Sequence, residues 1–227
     1  MMAAPPLAVL YEDNHLLALV KPPGLATMGV AGGEPTLLSL AKEYLKGRYH
    51  KPGNVYLGVV SRLDAPVTGV LLLARTSKAA RRLTEQFRSR AVEKTYWAAV
   101  EGAVFPPAGA YADWVRHDER HRRMHIARQD VDGVQEARLV YRTLKLSAGV
   151  SLVEVELQTG RKHQIRLQFS AHGHPVVGDR KYGSRREFPA GIALHARRLV
   201  VSHPTSGQRL ELVAPLPDAW NCLGIRD

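Results

Sequence analysis

Ser61-Arg62-Leu63-Asp64-Ala65-Pro66-Val67-Thr68-Gly69-Val70-Leu71-Leu72-Leu73-Ala74-Arg75-Thr76 is the stretch around which this 227-residue chain is organised. One acidic residue, Asp64, stands between an Arg-Leu pair and a turn that contains Pro66 and Gly69. An unbroken apolar run, Val70 to Ala74, follows. Bounded by turn residues, such a run has the length of a buried strand and is short for a helix. Asp64 is therefore expected on a loop anchored by a sheet strand, where reactive groups are commonly mounted. Taken alone, an aspartate there can equally serve to cap the turn.

Upstream, Leu7–Tyr11 and His15–Val20 are short apolar runs separated by Glu12-Asp13-Asn14, which predicts a strand pair ending at Lys21-Pro22-Pro23-Gly24. Thr36 offers an N-cap, and Leu37, Leu40, Ala41, Tyr44 and Leu45 recur at helical spacing. Gly47, and then Pro52-Gly53-Asn54, close that helix, and the apolar Val55–Val60 leads to the Asp64 loop. Downstream, Ser77 is the expected N-cap of a helix with Ala79, Ala80, Leu83 and Phe87 on one side and Lys78, Arg81, Arg82 and Arg88 on the other. Strands are expected at Glu93–Val100, Ala137–Leu144, Val150–Leu157, Ala193–Val201 and Leu210–Val213. The segment from His163 fits either a strand or a helix. The helical reading is preferred because Gly173 fits a stop and Thr159 or Gly160 can open the first turn. The tally predicts an α+β fold, a mixed, mostly antiparallel sheet with flanking helices, in a single domain over 1–227.

Lys plus Arg number 32 against 21 Asp plus Glu, a net charge of +11. That excess suits a polyanionic partner, since basic contacts to phosphate release condensed counterions. The most charged stretch is Arg116-His117-Asp118-Glu119-Arg120-His121-Arg122-Arg123-Met124-His125, with Arg128 beyond. It reads as phosphate contact or as a plain exposed hairpin, and its spacing shows no metal-ligand set. A single cysteine, Cys222, excludes an internal disulfide or a cysteine-rich zinc site. The N-terminus lacks the basic region of a signal peptide, and no apolar run approaches the roughly 20 residues of a membrane span. A soluble cytoplasmic protein is expected.

Four blocks in order give the chain a specific resemblance. They are Ser61-Arg62-Leu63-Asp64 with Thr68-Gly69 and the apolar strand; Glu93-Lys94-Thr95-Tyr96; Thr159-Gly160-Arg161-Lys162-His163-Gln164-Ile165-Arg166; and Gly173-His174-Pro175 followed by Gly178-Asp179-Arg180-Lys181-Tyr182-Gly183. Together they resemble the RluA family of RNA pseudouridine synthases over nearly the whole chain. Leu194-His195-Ala196 and His203-Pro204 extend the match.

The resemblance implies isomerisation of a uridine within ribosomal or transfer RNA, with no cofactor or metal. The N1 glycosidic bond is cut, the uracil turns, and C5 joins the sugar. Asp64 matches the family's essential aspartate, acting on sugar or base covalently or taking a sugar proton. A carboxylate suits an anomeric carbon that gains positive charge as its bond breaks. Tyr96 matches the active-site tyrosine that packs on uracil and is a base for the C5 proton. Arg166 matches the arginine that pairs with the aspartate and keeps it ionised. A stacked uridine must be flipped out, and Arg62 matches the residue that fills the gap. Lys94, Arg161 and Lys162 are expected on nearby phosphates.

Two departures touch the Asp64 loop. Ser61 stands where the family usually has His, and Val67-Thr68-Gly69 stands for Thr-Ser-Gly. They bear on substrate choice and rate more than on reaction type. No segment before Leu7 is long enough for the S4-type RNA-binding domain of longer relatives, so RNA affinity is expected from the catalytic domain itself, acting as a monomer. The alternative is a non-catalytic RNA-binding or folding protein on the same fold.

Overall fold

The computed structural model describes residues 7–29, 32–121 and 123–227. Residues 1–6, on which the leader-peptide reading partly rests, and Arg122 of the basic stretch lie outside the described residues. In chain order the elements begin with β1 (Ala8–Glu12), β2 (Leu16–Lys21), α1 (Leu37–Arg48), β3 (Gly58–Val59), β4 (Thr68–Ala74) and α2 (Ser77–Arg88). There follow β5 (Glu93–Glu101), β6 (Ala108–Asp118), β7 (Arg123–Ile126), β8 (Gln135–Ser147), β9 (Val150–Leu157), α3 (Gln164–Ala171), β10 (Leu194–Ser202) and β11 (Arg209–Val213). They form two compact units, Met1–Glu93 with Ala196–Pro215 and Lys94–His195 with Leu216–Asp227.

In the first unit β2 runs antiparallel to both β1 and β4, and β4 neighbours β10, whose other partners include antiparallel β11. The uninterrupted apolar run of β4 has a physical reason: the strand is buried on both faces. Leu16, Ala18, Val70, Leu72 and Ala74 pack with Ala79 and Leu83 of α2. Leu17, Leu19, Leu71 and Leu73 pack with Leu37, Ala41 and Leu45 of α1. Each leucine so buried contributes roughly 1.5–3 kcal/mol. Thr36 caps α1 as expected, its hydroxyl accepting from the Ser39 amide at 3.1 Å. The cap of α2 is Thr76 and not Ser77, because Thr76 keeps extended backbone while its hydroxyl accepts from the Ala79 amide at 3.1 Å.

In the second unit the order is β5-β9-β8-β6-β7, antiparallel throughout. The charged stretch is a hairpin of β6 and β7, with Arg116 opposite His125 and Asp118 opposite Arg123. Strand β6 begins at Ala108, directly after Pro106-Pro107, and Ala108 pairs with Arg142 of β8. The helical reading of the segment from His163 holds. Its first residue is Gln164 and its N-cap is His163, not Thr159 or Gly160, and Gly173 just past the end has φ +85°. The sheets are mostly antiparallel with helices packed on them, the expected α+β class. Among the described residues no helix is long and apolar enough to cross a membrane.

Candidate active site

Asp64 stands on a loop whose two neighbouring residues are each pinned from outside. On one side, the hydroxyl of buried Thr27 donates to the Leu63 carbonyl at 2.9 Å and accepts from the Leu63 amide at 3.2 Å. On the other, Lys21 donates to the Ala65 carbonyl at 2.8 Å. The same ammonium donates at 2.8 Å to the carbonyls of Pro22 and Leu25. Its three donors thus meet three backbone carbonyls, which is how a lysine with 0% exposure is satisfied. Burial pushes Lys21 down to about 8, and the nearby Asp64 carboxylate pulls it back up. The loop closes on itself through the Val67 amide, which donates to the Asp64 carbonyl at 3.0 Å.

Gly69 of the same motif is required by close approach. Its φ is +116°, and a Cβ there would sit inside the backbone amide and carbonyl of Ala196 on β10. The turn after Asp64 therefore enters β4 pressed against a neighbouring strand.

Tyr96 lies on β5 opposite Val155 of β9 and is half-buried, two residues from Ala98, which lies opposite Val153. The alternate residues Trp97 and Ala99 belong to the other face and its core. Period-two alternation thus separates Tyr96 from that core.

Arg166 belongs to α3, where residues 164–169 are all buried. A helix buried this way must satisfy its polar side chains inside the protein. Gln164 accepts from the Thr159 hydroxyl at 2.8 Å and the Arg161 amide at 3.0 Å, and donates to the Arg138 carbonyl at 3.0 Å. Gln168 donates to Asp113 at 2.7 Å. Arg166 meets Asp179, Nε to Oδ2 at 2.6 Å and Nη2 to Oδ1 at 2.9 Å, a bidentate pair with both side chains buried.

Arg62, expected to fill the gap left by the flipped uridine, is exposed beside Asp64. In the second unit Lys94 Nζ comes within 3.7 Å of the point a Cβ would occupy on Gly160, so Lys94 and the Gly160–Lys162 turn are adjacent. Arg161 spends its Nε on the Glu136 carbonyl at 2.8 Å, while exposed Lys162 meets His117 of the basic hairpin at 3.2 Å. Three supporting residues carry no role in the sequence motifs: Lys21 and Thr27 beside Asp64 in the first unit, and Asp179 beside Arg166 in the second. Lys21 carried a signal in the Lys-Pro-Pro-Gly punctuation after an apolar strand, and Asp179 sat inside a recognised block without a role. Thr27 had no local signal.

The model of the RNA pseudouridylate synthase family matches residues 15–171. A ribosomal large subunit pseudouridine synthase D of Pseudomonas aeruginosa is 36% identical over 231 residues, covering 93% of this chain and 69% of its own. Its namesake in Nitrosomonas europaea is 35% identical over 223 residues, covering 94% and 63%. The chain thus spans about two thirds of these relatives' length. Among solved structures, human RNA pseudouridylate synthase domain containing 4 superposes with a TM-score of 0.80 at 25% identity, covering 97% of this chain and 95% of that one. The human domain containing 1 protein gives 0.74 at 29% identity, covering 93% and 84%.

Proposed function

Because the chain belongs to the RluA family of RNA pseudouridine synthases, isomerases that convert uridine in RNA to pseudouridine, we propose that Asp64, Tyr96 and Arg166 carry that reaction here. The N1–C1′ bond breaks, C5–C1′ forms, the C5 proton leaves and N1 takes up a proton, so no oxidant or co-substrate is needed. Asp64 is the carboxylate that meets the sugar or base as positive charge develops at C1′. Tyr96 faces the uracil and takes the C5 proton. Arg166 is the counter-cation of the Asp64 carboxylate, the role its motif implies.

The observation that carries this reading is the double clamp on the Asp64 loop. Thr27 holds Leu63 and Lys21 holds Ala65, so the carboxylate between them is presented by fixed backbone, the preorganisation a reacting group requires. Arg62 takes the place of the flipped uridine in the stack. Lys94, Arg161 and Lys162 hold phosphates. The relatives' names point to large-subunit ribosomal RNA as the first substrate to test, with transfer RNA second.

Pseudouridine mapping of total RNA tests this, comparing cells without the protein with cells supplied with wild-type or Asp64→Ala protein. A site that disappears with the protein and returns only with the wild type is the expected result. A site restored equally by Asp64→Ala would remove Asp64 from the chemistry. No changed site at all would favour RNA binding without catalysis.

A further inference from the structure

We propose that Tyr182, tethered by His163, is a positioning residue for Arg166; the proposal rests on the catalytic role given to Arg166 above. The guanidinium carbon of Arg166 lies 5.1 Å from the centroid of the Tyr182 ring. Tyr182 and Asp179 belong to one short 3-10 turn, Arg180–Tyr182 with Asp179 at its start, and the Tyr182 amide donates to the Asp179 carbonyl at 3.0 Å. A single turn thus supplies both the carboxylate that grips the Nε–Nη2 edge of Arg166 and the ring that sets its plane. Charge balance needs only the carboxylate. The ring adds direction, fixing where the Nη1 side points.

The ring is itself held at its far end. The Tyr182 hydroxyl accepts from the Met124 amide at 3.0 Å and lies 2.8 Å from His163 Nδ1. The Met124 amide occupies one lone pair of the phenol oxygen, and the bond between that oxygen and His163 Nδ1 fixes the ring's far end whichever of the two carries the proton. His163 is the N-cap of α3, yet its side chain makes no capping bond, and it adopts φ 55°, ψ 23°, a left-handed conformation uncommon for residues other than glycine. Ser, Thr, Asp or Asn would cap the helix better, and Gly or Asn would fit that backbone better. What His163 supplies instead is the tether to Tyr182, seated edge-on to its ring at 83°.

The test measures tritium release from uridine C5 in total labelled RNA prepared from cells lacking the protein, together with thermal stability. Tyr182→Phe and His163→Ala should each lower kcat about tenfold, since small misplacements of a reacting group are costly. Their KM should stay within about twofold, since no RNA contact is lost. The double variant should be no worse than either single, and His163→Asn should recover most of the rate, its side-chain amide able to accept from or donate to the phenol in a conformation Asn tolerates. In an Arg166→Lys background, Tyr182→Phe should change nothing further. Wild-type kcat in Tyr182→Phe, losses that add in the double variant, or an undiminished effect in the Arg166→Lys background would each overturn the proposal. Where Tyr182→Phe fails to fold, the His163→Ala and His163→Asn pair decides alone. Full activity in Arg166→Lys would instead overturn the role of Arg166, a failure distinct from that of its tether.

Discussion

The Lys21 ammonium donates to the Ala65 carbonyl, the residue directly after Asp64, across 44 positions of sequence at 2.8 Å. A charge buried at the foot of the loop that carries the candidate catalytic carboxylate has consequences that can be measured.

Burial lowers Lys21 from 10.5 to about 8. Between those two values the unfolded chain holds the proton and the folded one gives it up, so stability contributed by this group rises with pH across that window. It amounts to roughly 3 kcal/mol at most, at 1.36 kcal/mol per pKa unit. Activity should move oppositely, falling above pH 8 as the ammonium loses a donor to Ala65, Leu25 or Pro22. Denaturant titrations from pH 7.5 to 10.5 on wild type and Lys21→Met would show the pH-dependent difference. A kcat that stays flat to pH 9.5 would sink the functional half.

Thr27→Val preserves shape and removes both bonds to Leu63. Leaving that amide and carbonyl unmet should cost about 2 kcal/mol. The rate should fall with little change in KM, because the loop that presents Asp64 loosens while RNA contacts remain. Steady-state kinetics beside a melting curve reads both; a raised KM with normal kcat would contradict it.

Gly69→Ala should be severe. A positive φ of +116° and a Cβ driven into Ala196 leave no accommodation except moving a strand, and a loss above about 3 kcal/mol is expected. Gly173 has φ +85° but open space around it, so Gly173→Ala should cost only about 1 kcal/mol. Comparable melting temperatures for the two variants would refute the steric account.

Asp179→Asn removes one carboxylate charge from the Arg166 fork inside the protein. Removing one partner of such a pair costs about 3–5 kcal/mol. Adding Arg166→Met to Asp179→Asn should restore part of the stability and none of the activity, which a denaturation series and a rate assay together would reveal.

Lys162→Gln should weaken RNA binding uniformly across sequences and reduce the slope of log K against log salt by about 1. Filter binding at several salt concentrations checks it. An unchanged slope would mean that Lys162 serves only its contact with His117.

The elements of the first unit are largely legible in the amino-acid sequence. The apolar run of β4, the spacing of Leu37, Ala41 and Leu45, and the Thr36 cap are local signals, and each reappears where expected. The cap of α2 moved by one residue because both Thr76 and Ser77 can accept the bond, and only backbone conformation selects between them. Asp64, Tyr96 and Arg166 could be picked out through their motifs, whose residue types are specific. Their supports could not. Thr27 is one threonine among many until Leu63 folds past it, and Asp179 became the partner of Arg166 only once the turn at Arg180–Tyr182 met α3.

By itself, the amino-acid sequence determined the class of fold and the placement of the helices and of most strands, β6 and β7 excepted, because apolar periodicity and capping act between residues a few positions apart. It also carried the family through four ordered motifs. The tertiary structure alone decided that a lysine is buried beneath Ala65, that Thr27 clasps Leu63, and that Tyr182 and Asp179 frame Arg166. A long polar side chain finds its partners among whichever backbone and carboxyl groups folding brings within about 3 Å, and no local pattern encodes that encounter.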